Sequence, residues 1–289
     1  MNEEISTLWH LSVAMTTAQG EISQTTGGDE LTSSSRAAAV YFESAVLIIG
    51  IIGTAANGLV LYALVASKEH KKHMLIVNQN ALDLFSCIFL VITYGMKLFN
   101  IYLTGSLGYW LCMLLGSQNL LWCGVYASFS NLAAIAIERY LMVVHSAWYQ
   151  NHLSKWMLYS AMAFIWISSF VHVMAVAFVS SAVIDGACYG FVIWKDRASG
   201  VAYGIYSFLS AYVIVLAIFI FCYGKIVMVI HRQASVMAGH SAAGSSAGEA
   251  QLNHIQSNVT KTMILVCVFY AVAWLPENVY FLLMSLDRS

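Results

Sequence analysis

One proline in 289 residues, and only 9% charged residues, are the scarcities that bound this chain. A soluble domain carries roughly a quarter charged residues, so this composition cannot keep a globular surface wet. Mean hydropathy of +0.73 points instead to lipid covering much of the molecule. With so little proline, and 19 glycines, collagen-like and low-complexity disordered classes are excluded. There is no Walker loop, GxGxxG motif, zinc-type CxxC pair or internal repeat. The 9 histidines form no HExxH or other tight ligand set, so no transition-metal centre is expected. No nucleophile–base constellation is legible, which argues against an enzyme. A net charge of −1 says nothing about nucleic acid, and no nucleic-acid partner is expected.

What is present is a series of apolar runs near 40–66, 74–97, 109–138, 156–183, 201–230 and 262–286. Each exceeds the ~20 residues that span a bilayer as a helix. In lipid the backbone must satisfy its own hydrogen bonds, so the expected fold is an all-α transmembrane helix bundle. Bases gather in the links after the first, third and fifth spans: Lys68, Lys71 and Lys72; Arg139 and Lys155; Lys225, Arg232 and Lys261. The opposite links hold fewer (Arg36, Lys97, Lys195, Arg197 and Arg288) and most of the acids. The positive-inside tendency therefore places the N-terminus outside. Residues 1–38, acidic and rich in Ser, Thr and Gly, are expected to be a disordered extracellular tail, and 39–289 the bundle. Residues 233–256, small and polar, are expected to be a flexible cytosolic loop. The acceptor site at Asn258 falls on that cytosolic side and should carry no glycan.

Within the spans, a few residues carry chemistry. Asp83 lies mid-span in NQNALDLF, where a carboxylate costs at least ~2.5 kcal/mol unless it faces a partner or water. It is read either as a neutral, hydrogen-bonded core residue or as a cation or proton site, with Asn57 of the first span a candidate partner. In the third span, Gln118, Leu121, Val125, Ser128, Leu132, Ile135 and Arg139 recur at helical spacing along one face. No charge occurs from Leu98 to Ile137; the run ends at Glu138-Arg139-Tyr140. That pair is read as an interfacial anchor or as part of a switch. Pro276 kinks the sixth span between Trp274 and Glu277. Cys112 and Cys188 both fall on the outer, oxidising side and are placed for a disulfide, while Cys87, Cys123, Cys222 and Cys267 fall within spans.

This ordered set resembles a rhodopsin-like (family A) G-protein-coupled receptor. It comprises Asn57, Asp83, Trp110 with Cys112, Glu138-Arg139-Tyr140, Trp166, Cys188, Tyr223 and Trp274-Leu275-Pro276, and covers residues 40–286. The resemblance reaches six spans of a seven-helix fold, without the family's seventh helix and its NPxxY motif. The chain is then either a piece of a longer receptor or a six-span variant. It implies a multi-pass plasma-membrane receptor for an extracellular ligand, coupled to heterotrimeric G proteins through movement of the sixth span. Arg139, with Glu138, Tyr140, Tyr223, Trp274 and Pro276, would form the switch, and Asn57 and Trp166 would be structural. Asp83 and Ser128 would hold an internal sodium ion; no other cofactor is expected. By register, Gln118, Leu121, Trp122, Val125, Ser207, Glu277 and Asn278 would line the ligand pocket. Leu121 stands where amine receptors carry an acid, and Glu277 could meet a basic group, which favours a peptide or a non-amine small molecule.

Three departures from the family accompany the match. Cys112 lies farther ahead of Arg139 than is usual, Val215 replaces the proline of the fifth span, and Gln256 stands where some members carry an acid that bonds the arginine. The last predicts a looser resting state and basal activity. Two other readings stay open: a transporter or channel subunit using Asp83 as an ion site, and a non-signalling six-span partner that dimerises with a complete receptor.

Overall fold

The computed structural model describes residues 29–68, 73–99, 101–184, 186–190, 197–240 and 247–287. Lys71, Lys72, Lys195 and Arg288 lie outside the described residues, as do the side chains of Arg197, Gln256, Asn258 and Lys261. Among the described residues, six helical segments are long and apolar enough to cross a membrane. They are α1 (Asp29–Ala66), α2 (Met74–Leu98), the pair α3 (Gly105–Leu111) and α4 (Asn119–Val144), then α6 (Lys155–Ser180). The pair α7 (Arg197–Phe208) and α8 (Ile214–His240) forms the fifth, and α9 (Ala247–Asp287) the sixth. A short α5 (Ser146–His152) links the third and fourth spans. β1 (Ala182–Ile184) and β2 (Ala187–Tyr189) pair antiparallel beyond the fourth.

The helices outrun the expected spans. α1 begins at Asp29, inside the stretch assigned to the tail. α8 and α9 reach into 233–256, whose alanine and glutamine content tolerates helix.

The third span is the axis: α4 touches α2, α6 and α8. Ala127 and Ala136 are fully buried there, and small residues let neighbouring backbones approach without a hydrophobic drive in lipid. The first span packs on the second at Gly53, where an added Cβ would lie 2.6 Å from Cys87 Sγ.

Sequence periodicity gave no hint that the third span is broken. Cys112–Gly116 is a π turn, and Gln118 adopts a left-handed conformation at φ 62° before α4 starts. The freed carbonyls are answered by side chains. Asn119 Nδ2 donates to Met113 O at 2.6 Å and Thr93 Oγ1 to Leu115 O at 2.9 Å. This detour takes up the extra chain between Cys112 and Arg139. The Cys112–Cys188 disulfide is formed, with Cα atoms 5.3 Å apart, and ties β2 to the π turn. Gly116 is required by that approach, since a Cβ would meet Cys188 Sγ at 2.6 Å.

Candidate functional site

Between the second, third and fourth spans, polar side chains form one directed chain. The Trp166 indole N–H donates to Asn78 Oδ1 at 3.0 Å, and Asn78 Nδ2 to Asn131 Oδ1 at 2.9 Å. Asn131 Nδ2 donates to the Leu75 carbonyl and to Gln79 Oε1, both at 2.9 Å. Gln79 Nε2 donates to both Asp83 carboxylate oxygens, at 3.0 and 3.2 Å, and to the Ser128 hydroxyl. Ser128 Oγ in turn donates to Asp83 Oδ1 at 2.9 Å. Asp83, Ser128 and Trp166 were expected; Asn78, Gln79 and Asn131 were missed. The signal was the run of amides in NQN beside Asp83, because amides in lipid must find partners. Asn57 does not serve Asp83: its Nδ2 donates to Gly53 O of its own helix at 2.9 Å and lies 4.0 Å from Cys87 Sγ. The sodium ion implied by the resemblance would need the oxygens that Gln79 already binds, so these residues do not fit it.

At the end of α4 far from the disulfide, Arg139 Nη1 lies 3.9 Å from Met142 Sδ, and its Nε is buried without a hydrogen bond. Glu138 accepts a long bond from the Tyr149 hydroxyl, 3.4 Å, from α5. Burial, and then the adjacent Glu138 carboxylate, push the Tyr149 phenol above its ordinary pKa. Tyr140 meets His145 Nε2 through its hydroxyl at 3.1 Å and packs on Phe221. Tyr223 is buried in the fifth span.

Midway along the bundle, aromatic rings join the third, fifth and sixth spans. Phe129 packs edge-on against Trp274 at 4.7 Å and Tyr270 at 5.2 Å between ring centres. The fifth span makes a π turn at Leu209–Val213, although Val215 replaces the proline. Two tyrosines bridge this turn reciprocally: Tyr270 donates to the Ala211 carbonyl, and Tyr212 to the Ala271 carbonyl at 2.8 Å. Pro276 lies one turn beyond, inside α9.

Toward the disulfide end, Gln118 opens α4 and Glu277 lies just past Pro276 in α9. Asn278 Nδ2 turns back to the Trp274 carbonyl at 2.8 Å. Leu121 is buried, while Trp122 and Val125 are half-buried. Ser207 Oγ is buried beside Tyr126 and Tyr203 without a well-formed hydrogen bond. None of the seven expected pocket residues lines the described cavity of about 120 Å³. That cavity lies between the third, fourth and fifth spans, bounded by Tyr126, Ser169, His172 and Tyr206. His172 Nε2 is buried there without a hydrogen bond.

A bundle turning on a central third span, with a disulfide at one end and a half-buried arginine at the other, has the architecture of a membrane receptor. The chain belongs to the rhodopsin family of seven-transmembrane receptors, whose sequence pattern it matches over residues 56–289. It is a multi-pass membrane protein of a receptor class, not an enzyme. It is 26% identical over 279 residues to the human Substance-K receptor, covering 94% of this chain and 67% of that protein. It is 25% identical over 288 residues to the neuropeptide receptor npr-1 of Caenorhabditis elegans, covering 87% and 62%. To the rat galanin receptor type 1 it is 24% identical over 242 residues, covering 80% and 64%. The chain thus spans about two thirds of the length of these relatives.

Proposed function

We propose that this chain is a plasma-membrane receptor, N-terminus outside, that binds an extracellular peptide and activates a heterotrimeric G protein through movement of the sixth span. The observation that carries the reading is Arg139, whose Nε is buried and unbonded at the end of the central helix. A guanidinium has five N–H donors and no acceptors, and a helix C-terminus presents free carbonyls that such donors suit. A G-protein tail entering there would supply what Arg139 lacks. The peptide reading is supported by the names of the relatives, receptors for substance K, galanin and neuropeptides. Leu121, where an amine receptor would carry an acid, and Glu277, an acid just past Pro276 in the sixth span, agree with it. An agonist must prefer the moved state of the sixth span, since only differential affinity shifts the population.

The test is Arg139→Ala expressed beside the unaltered chain, with surface labelling as the control. Second-messenger output, basal and with a neuropeptide panel, should fall about tenfold or more at equal surface density. Undiminished output would leave Arg139 a mere interfacial anchor and overturn the reading.

A further inference from the structure

The hydrogen bonds around Asp83 have a polarity that is fixed from both ends. An indole N–H only donates, so Asn78 must turn its carbonyl oxygen toward Trp166 and its NH2 toward Asn131. A backbone carbonyl only accepts, so the Leu75 oxygen independently fixes the NH2 of Asn131 on that side. Asn131 therefore donates to Gln79 Oε1, which leaves Gln79 to present its NH2 group to Asp83. Amide orientation is settled by such a network rather than by shape. Asn131 is 0% exposed, so neither water nor lipid can substitute for a partner in the chain.

The outcome is a single nitrogen at a shared vertex. Gln79 Nε2 is within hydrogen-bonding distance of Asp83 Oδ1, Asp83 Oδ2 and Ser128 Oγ together. Those three oxygens are the ones a hard cation at this site would have to share, since such cations take oxygen ligands. An amide NH2 carries positive partial charge to the same place without a net charge to desolvate. We infer that the Gln79 amide stands in for the cation at Asp83, making the core of this receptor independent of sodium. Trp166, through Asn78 and Asn131, is the positioning residue that keeps Gln79 in the donating orientation.

The experiment needs no agonist. The full chain is purified into nanodiscs and its thermal unfolding is followed in roughly 150 mM NaCl and in equal choline chloride, so that screening is matched. Unaltered protein should melt within about 1 °C in the two salts. Gln79→Leu, which keeps the bulk and removes the donor, should melt about 3 °C or more higher in sodium, the signature of a ligand bound to the folded state. Adding Asp83→Asn should abolish that gain. A sodium-dependent rise in the unaltered protein that Asp83→Asn removes overturns the inference, whether or not Gln79→Leu folds. So does a folded Gln79→Leu, or Gln79→Met if the leucine variant gives no cooperative melt, that ignores sodium.

Discussion

The third span holds two unlike partnerships. On one flank it meets the second and fourth spans through Asn131, Gln79, Asn78 and Trp166, where every amide has a fixed direction. On the other it meets the fifth and sixth through Phe129, Tyr270 and Trp274, rings that touch at edges. Hydrogen-bond donors and acceptors have one register, and sliding by a fraction of a turn leaves buried groups unpaired. Ring edges tolerate small rotations with little loss, as several offset and edge geometries are close in energy. Under the proposed function the polar flank would act as the frame and the aromatic flank as the joint about which the sixth span moves.

The comparison breaks most visibly at Asn131. Asn131→Ala removes three hydrogen bonds at a fully buried position. At the ~0.6 kcal/mol typical of interhelical bonds in membranes, the loss should be about 2 kcal/mol. Thermal unfolding in nanodiscs should record it, while basal signalling per receptor at the surface stays unchanged. A rise in basal signalling would mean that the polar flank also belongs to the moving part.

Tyr270→Phe probes the other flank with a smaller effect. It deletes the bond to the Ala211 carbonyl but keeps the ring stack on Phe129 and Phe219. The stability cost should be about 0.6 kcal/mol. Because the bond ties the sixth span to the fifth, basal second-messenger output should rise at constant surface expression. If output instead stays level while stability falls as far as in Asn131→Ala, the two flanks are equivalent and the contrast between frame and joint fails.

How much of this was legible beforehand follows the range of each interaction. The spans could be read because lipid imposes one length and one backbone solution on every helix. Arg139, Asp83 and the Cys112–Cys188 pair could be read because charge in an apolar run and cysteines on one side stand out in one dimension. The break at Gln118 could not, because it is made by Thr93 and Asn119 answering carbonyls that periodicity does not see. Nor could the bond partners of Asp83: Asn57 and Gln79 are both amides, and only the fold shows that Asn57 bonds the Gly53 carbonyl of its own helix while Gln79 bonds Asp83.

A small effect is also expected at Val215, and it tests whether the joint is built in. A proline within a helix removes a backbone donor and strikes the carbonyl four residues earlier, at a cost of ~3 kcal/mol. For position 215 that carbonyl belongs to Ala211, and Tyr270 already bonds it. The backbone there is also loosened, since Ile214 N reaches back to the Leu209 carbonyl across the π turn. Val215→Pro should therefore cost less than about 1 kcal/mol, because the Ala211 carbonyl keeps its bond from Tyr270 when the backbone donor at 215 is lost. The same substitution at Phe219, in the regular helix one turn further along, should cost the full ~3 kcal/mol. Equal losses at the two positions, measured as unfolding midpoints in one buffer, would mean that the turn is an ordinary helix under strain. Unequal losses would make the tyrosine pair the substitute for the proline that the fifth span lacks.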